Sequence, residues 1–192
     1  MTEILYPELP KDLKLIADKI TQGKIFAYPT ESVFGIGCDA LNNHSIEKVI
    51  NFKGRDYSKG LIVISDDTEK LKSFIEKKYY ELFCSKVRRE KKPTTWIVPS
   101  ESNISPLIKG DSSKVAIRVT SHMVCKKLCQ YSNSALISTS ANISGQEPLK
   151  IFNKVKKEFN GKIDFIVNGV VGGYNKPTQI IDLLTEDVIR KS

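Results

Sequence analysis

Short apolar runs with the period of a strand alternate with longer segments of helical period along this chain of 192 residues. No internal repeat and no low-complexity segment interrupts the alternation, so a repeat architecture is excluded. A chain of this pattern must cover an apolar sheet with helices, which predicts a mixed α/β or α+β fold. Because this length suffices for one core and is short for two, we expect residues 1–192 to form a single domain.

The local patterns predict seven or more strands and several helices. The expected strands cover 24–28, 61–64, 94–98, 115–119, 135–140, 163–167, 180–184 and 188–190. The expected helices lie at 13–20, ended by Gly23, at 45–52 with Ser45 as the cap, at 68–84 in two pieces, at 121–130 and at 151–159. No G-x-G-x-x-G turn follows a strand, and no G-x-x-x-x-G-K-[ST] loop occurs. Any ATP site must therefore be built without a Rossmann turn or a P-loop.

Composition and charge narrow the class of protein further. The net charge of +8 suits a polyanionic partner such as a nucleic acid or a nucleoside triphosphate, although lysines also solvate ordinary surfaces. No apolar run reaches the roughly 18 residues that span a bilayer, and the N-terminus lacks a secretory apolar stretch, so we expect a cytoplasmic protein with no membrane segment.

The cysteines do not suggest a metal site. None of the four forms a C-x-x-C pair, and a site built from Cys125, Cys129 and His122 is much less favoured than isolated buried thiols. The two histidines are too few for a His-rich zinc site.

Three polar segments stand at the ends of predicted strands. The first, 28–38, presents the hydroxyls of Thr30 and Ser32 together with two glycines that permit a close approach, although a plain turn explains it equally well. The second, 52–61, places three cations and two glycines in a predicted loop. This pattern is typical of a phosphate site, with a solvated basic loop as the alternative.

The third polar segment, 136–145, is rich in hydroxyl groups. In an extended chain Ser138, Ser140 and Asn142 share one face, which we expect to be open while the other side of the strand is buried. No G-x-S-x-G signal and no neighbouring histidine activates Ser140, so a serine hydrolase is not indicated. The alternative is a turn that Asn142 simply caps.

Five motifs occur along the chain in this order: PTESVFGIG, K-x-R, K-G-L, VAIRV and S-x-N-x-S-G. Together they resemble the YrdC-like threonylcarbamoyl-AMP synthase family, from about Ile16 to Arg190. The chain is similar to the short, single-domain members. This resemblance implies a twisted, mostly mixed sheet flanked by helices, with a positively charged concave face. It also implies a nucleotidyltransferase that converts L-threonine, bicarbonate and ATP, with Mg²⁺ on the phosphates, to threonylcarbamoyl-AMP and pyrophosphate. Partner proteins would then pass the threonylcarbamoyl group to the adenosine beside the anticodon of tRNA.

The resemblance also implies roles for individual residues. The expected catalytic group is Lys53, Arg55, Ser140 and Asn142. The residues matching threonine-binding positions are Thr30, Arg118, Ser140 and Thr178. Those matching ATP-binding positions are Lys53, Arg55, Asn142 and Arg190. No metal ligand from the chain is implied, and affinity for tRNA or another RNA is expected.

Departures from the family pattern lie mainly before the strand at Thr95. A W-P-G-P-x-T stretch is reduced there to Pro93 and Thr95, Asp56 replaces a frequent proline, and a basic run occupies 86–92. A non-catalytic RNA-binding module of the same fold is the first alternative, although Trp96 is the single tryptophan and no RNP1 or dsRBD pattern occurs. A carbamoyl or acyl transferase acting on another small amine is the second.

Overall fold

The computed structural model describes residues 1–142 and 146–192. Over this part of the chain, ten strands form one sheet with helices packed against it. The strands are β1 (Glu3–Leu5), β2 (Phe26–Pro29), β3 (Phe34–Gly37), β4 (Ile62–Ser65), β5 (Thr94–Pro99), β6 (Lys114–Val119), β7 (Leu136–Ser140), β8 (Phe165–Val167), β9 (Gln179–Asp182) and β10 (Val188–Arg190). The helices are α1 (Pro10–Thr21), α2 (Asn43–Lys53), α3 (Tyr80–Arg89), α4 (Pro106–Lys109), α5 (Met123–Ser132) and α6 (Phe152–Phe159), with 3₁₀ turns at Tyr57–Lys59, Glu69–Phe74 and Lys77–Tyr79.

The sheet is mixed, in the order β1-β8-β2-β3-β7-β4-β6-β5-β9-β10. Parallel pairs join β4 to β6 and β5 to β9, whereas β3 and β7 pair antiparallel at the centre. The predicted mixed sheet flanked by helices is therefore confirmed. Strands β1 and β3 were not predicted. Because β3 reads Phe-Gly-Ile-Gly, its strand propensity is low, and its pairing on both sides decides its conformation.

Two apolar clusters fill the two faces of the sheet. Ile137 belongs to the larger cluster, whereas Leu136 belongs to the smaller one with Tyr28 and Cys125. The prediction that one side of this strand is buried and the other open is wrong at this point, because helices cover both faces. Further along β7, Ser138 is 6% exposed and Ser140 is half-buried, and both line the cavity described below.

Close packing of β3 against β7 requires a glycine. A Cβ atom at Gly37 would lie far inside contact distance of the carbonyl oxygen of Ile137. Gly37 thus serves strand packing, whereas Gly35 lines the cavity described below.

Helix α2 begins and ends differently from the prediction. Asn42, not Ser45, is the cap, since its side chain accepts a hydrogen bond from the Ser45 amide at 3.1 Å. The Ser45 hydroxyl donates instead to the carbonyl of Gly23 at 2.9 Å. Gly54, with φ of +55°, ends the helix in the left-handed conformation. Lys53 is therefore the last residue of a helix and 8% exposed, whereas the sequence placed it in a polar loop.

The segment 68–84 is less helical than predicted. It consists of two 3₁₀ turns followed by the first half of α3, which continues to Arg89. No helix in the described ranges combines the length and the apolar character needed to cross a membrane. Cys38, Cys125 and Cys129 are buried free thiols, and burial raises the pKa of each.

Candidate active site

A cavity of about 280 Å³, here called cavity A, opens on one face of the sheet where β3, β6 and β7 meet the loop before β9. Strand pairing sets its floor, since Arg118 of β6 lies beside β4 and β5 and projects from the same face as Thr95. The predicted residues that line cavity A are Thr30, Arg55, Arg118, Ser138, Ser140, Thr178 and Arg190.

Arg118 is the buried charge of cavity A, with 5% of its surface exposed. One terminal nitrogen, Nη1, donates to the hydroxyls of Thr178 at 3.1 Å and Thr95 at 3.4 Å. The other, Nη2, lies 3.3 Å from a carboxylate oxygen of Glu31. A cation fixed in this way in a polar cavity is suited to bind a carboxylate.

Thr178 connects Arg118 to the C-terminal strand. Its hydroxyl lies 3.2 Å from that of Thr95, and its carbonyl accepts two hydrogen bonds from Arg190, at 3.0 and 2.7 Å. Burial lowers the pKa of Arg190, and the charge of Arg118 lowers it further. The fold therefore brings two predicted threonine-site residues and one predicted ATP-site residue into direct contact.

Thr30 lines cavity A from the turn after β2. Its hydroxyl donates to the carbonyl of Val33 at 2.7 Å, and its own carbonyl accepts from the amide of Gly172 at 2.9 Å. Thr30 thus anchors both the polar turn and the segment that leads to Thr178. Its lining position agrees with the predicted site, although its hydroxyl is engaged within the turn.

A second cavity, here called cavity B, adjoins cavity A and has a volume of about 220 Å³. The two cavities share the lining residues Arg55, Thr139 and Ser140. Its remaining lining residues are Lys53, Gly54, Asp56, Lys59 and Asn142. Both halves of the predicted K-x-R and S-x-N pairs therefore meet in one place. Ser144 and Gly145 of the third polar segment lie outside the described residues.

Lys53 binds the turn after β7 in cavity B. Its ammonium donates to the carbonyl of Ser140 at 2.7 Å, to Oδ1 of Asn142 at 2.9 Å, and to the carbonyl of Asn142. The Ser140 hydroxyl donates to the same Asn142 oxygen at 2.7 Å. Burial lowers the pKa of Lys53 to about 8, and Arg55 adds to this effect.

Arg55 stands between the two cavities. Its Nε donates to the carbonyl of Gly60 at 2.9 Å, which fixes the side chain against the loop before β4. Burial lowers the pKa of Arg55, while the neighbouring Asp56 opposes this change. Because it lines both cavities, one guanidinium can contact groups in each.

Sequence reasoning did not assign a role to Glu31, Thr95 or Thr120. Glu31 is 2% exposed and accepts a hydrogen bond from Thr120 at 2.6 Å. It lies within PTESVFGIG, and a carboxylate in an otherwise uncharged strand-end segment is the signal that points to it. Its partner, Arg118, is distant in the chain and could not be found by periodicity.

Comparisons with known proteins agree with this architecture. The Sua5/YciO/YrdC family model, described as "Telomere recombination", matches residues 18–192. Proteins named threonylcarbamoyl-AMP synthase from Photobacterium profundum and Vibrio vulnificus are 33% and 35% identical over 186 and 184 residues. Each alignment covers 94% of this chain and 98% of the relative.

Among solved structures, the crystal structure of P. abyssi Sua5 complexed with L-threonine matches with a TM-score of 0.84 at 27% identity. The match covers 95% of this chain and 54% of that one, so this chain spans about half the length of that Sua5. Both the sheet that carries cavities A and B and nearly the whole sequence are thus shared with these proteins, and the chain belongs to the Sua5/YciO/YrdC family.

Proposed function

We propose that this chain is a threonylcarbamoyl-AMP synthase, a nucleotidyltransferase that uses L-threonine, bicarbonate and ATP. The observation that carries the proposal is the convergence of Arg118, the Lys53–Arg55 pair and the Ser140–Asn142 pair on two adjoining cavities. A carboxylate-binding end beside a phosphate-binding end is the arrangement that this reaction needs. The curated relatives named for this activity support the same assignment.

Cavity A is the proposed threonine site. Arg118 binds the amino-acid carboxylate, while the hydroxyls of Thr178 and Ser140 supply further hydrogen-bond partners. Thr30 also lines this cavity. The Sua5 structure solved with L-threonine supports this assignment, since it is a complex of that amino acid with a protein of this fold.

Cavity B, with the adjoining rim, is the proposed site of the ATP phosphates. Lys53, Arg55 and Lys59 line cavity B, and Arg55 and Arg190 recur in a third hollow, cavity C, of about 260 Å³ together with Lys109 and Lys114. Lys114 is paired with Asp182 at 2.6 Å, so its charge is partly neutralised. We propose on this basis that the concave face is positively charged.

The proposed chemistry forms two bonds in succession. The threonine amine attacks the carbon of bicarbonate, water leaves, and an N-carboxy species forms. Its carboxylate oxygen then attacks the α-phosphorus of ATP, and pyrophosphate leaves with the electron pair of the broken P–O bond. No protein nucleophile is needed. The chain holds the two reactants in line, and Arg55, at the boundary of the two cavities, stabilises the charge that develops there.

Magnesium belongs to this proposal only as a companion of the ATP phosphates. The described lining of cavity B is mainly cationic and polar, and its one carboxylate, Asp56, accepts hydrogen bonds from Ser58 at 2.9 and 2.8 Å. The same proposal includes transfer of the threonylcarbamoyl group to tRNA by partner proteins, affinity for tRNA and a cytoplasmic location.

Pyrophosphate release by the purified protein tests the function. We expect release that requires L-threonine, bicarbonate and ATP together, and that falls to background when any one is omitted. L-Serine and glycine in place of L-threonine test the choice of amine. Binding of RNA without threonine-dependent pyrophosphate release would favour the non-catalytic RNA-binding module, and release with another amine alone would favour the transferase alternative.

A further inference from the structure

Glu31 stands directly behind Arg118, away from the cavity. Within the described part of the chain, cavity A is lined by Arg118 and not by Glu31. The carboxylate is 2% exposed, so it has no access to solvent or to a ligand of its own. Any effect it has on a substrate must therefore pass through the residues that it contacts.

A hydrogen bond from Thr120 orients the Glu31 carboxylate toward Arg118. Its Oε1 accepts a hydrogen bond from the Thr120 hydroxyl at 2.6 Å, which leaves Oε2 facing Nη2 of Arg118 at 3.3 Å. The second contact is an ion pair whose geometry is not that of a hydrogen bond, since Oε2 has no hydrogen-bond partner among the described residues. Charge attraction, rather than a directed bond, therefore joins the two groups.

The guanidinium is consequently held from two sides. Glu31 attracts Nη2, and the hydroxyls of Thr178 and Thr95 accept from Nη1. An arginine side chain otherwise loses rotamer entropy on becoming ordered. A guanidinium already fixed toward cavity A binds a carboxylate without that loss.

Glu31 carries its charge at neutral pH. Burial raises the pKa of Glu31, but the charge of Arg118 and the hydrogen bond from Thr120 outweigh burial and hold the pKa below its usual value. The backbone of Glu31 is also fixed, because its carbonyl accepts from the amide of Tyr174 at 3.2 Å. A charged group this well constrained can set the position of its partner.

We infer that Glu31 is a positioning residue for the substrate carboxylate: it orients Arg118 in cavity A without touching the substrate. The inference rests on the proposed function for its substrate, L-threonine. It assigns Thr120 the role of orienting Glu31 in turn. The chain of contacts runs from Thr120 through Glu31 to Arg118 and ends at the cavity.

The test compares Glu31→Gln, Thr120→Val and a matched control, Thr2→Val, in pyrophosphate release. Thr2 is also a buried threonine, whose hydroxyl donates to Ile163 at 2.8 Å in a region that does not line cavity A. We expect the KM for L-threonine to rise about tenfold in Glu31→Gln and about threefold in Thr120→Val. The KM for ATP should stay within about twofold of wild type in both.

A purely structural role predicts a different pattern. Equal rises in the KM values for threonine and ATP, or a threonine KM raised as much in Thr2→Val, would overturn the inference. Glu31→Gln leaves Arg118 buried without an anion, which can prevent folding. In that case Thr120→Val decides, since it keeps both charges: an unchanged threonine KM overturns the inference and a raised one supports it.

Failure of the proposed function is recognised separately. If the wild-type protein releases no pyrophosphate with threonine, bicarbonate and ATP, the reaction assignment fails. Calorimetric titration of L-threonine into the wild-type protein and the same variants then decides the role of Glu31. Weaker binding to Thr120→Val than to Thr2→Val supports it, whereas equal binding, or no binding to any of them, overturns it.

Discussion

Replacing Lys53 by methionine removes the ammonium and keeps most of the aliphatic side chain. In the folded protein this ammonium donates to the carbonyl of Ser140 at 2.7 Å and to Oδ1 of Asn142 at 2.9 Å, and a third contact reaches the carbonyl of Asn142. Lys53 is 8% exposed, so water replaces these bonds poorly. We therefore expect Lys53→Met to lower the free energy of unfolding, although the sequence alone placed this residue in a polar loop.

The size of the effect follows from two opposing contributions. A hydrogen bond from a charged donor contributes roughly 1.5–3 kcal/mol, and Lys53 makes three. Against this, the fall of its pKa from 10.5 to about 8 corresponds to a cost of about 3 kcal/mol for keeping the buried ammonium charged. The net loss should be about 2–6 kcal/mol, which lowers the melting temperature of a chain of this size by about 4 °C or more.

Thermal unfolding followed by circular dichroism at pH 7, without nucleotide, measures this loss. Arg55→Met is the matched control, because that side chain makes a single well-formed hydrogen bond, to Gly60 at 2.9 Å. Its melting temperature should fall by no more than about 3 °C, which corresponds to about 1 kcal/mol. Both variants should also show a raised KM for ATP.

A melting temperature of Lys53→Met within about 2 °C of wild type, with the KM for ATP still raised, would refute this reasoning. It would show that the ammonium is free to meet phosphates and does not hold the turn after β7. An equal fall in both variants would also count against it, because the two side chains make different numbers of bonds.

Three further outcomes are expected. Arg118→Lys should raise the KM for L-threonine about tenfold or more, with a smaller effect on the KM for ATP, because a lysine cannot reproduce the two-sided guanidinium contacts. Equal rises in both KM values would contradict this. Ser140→Ala and Asn142→Ala should lose most threonine-dependent pyrophosphate release, and retained activity in both would remove them from the site, with circular dichroism as the check on folding. The pKa of Lys53 is lowered to about 8, so its charge is present below that pH and lost above it. The KM for ATP should therefore rise between about pH 7.5 and 9, and Lys53→Arg should flatten this rise.

Much of the fold could be predicted because its signals are local. Alternating apolar runs marked β5, β6 and β7 within a residue or two, and the apolar face of α1 was found with its buried residues. The segment before α3 was predicted less well, since a 3₁₀ turn and an α-helix share similar apolar spacing. Strand β3 was missed because its two glycines disfavour a strand until neighbours pair with it.

The features of the candidate site likewise fall into those that the sequence predicts and those that only the tertiary structure identifies. By itself the sequence determined that polar side chains follow buried strands, and that K-x-R and S-x-N occur in the order typical of the family. The tertiary structure alone decided that Lys53 binds the turn after β7 and that Glu31 pairs with Arg118 behind the cavity. The physical reason is that periodicity along a chain reports which face a residue occupies, whereas strand order and register choose the partner of each buried charge, across segments that are distant in sequence.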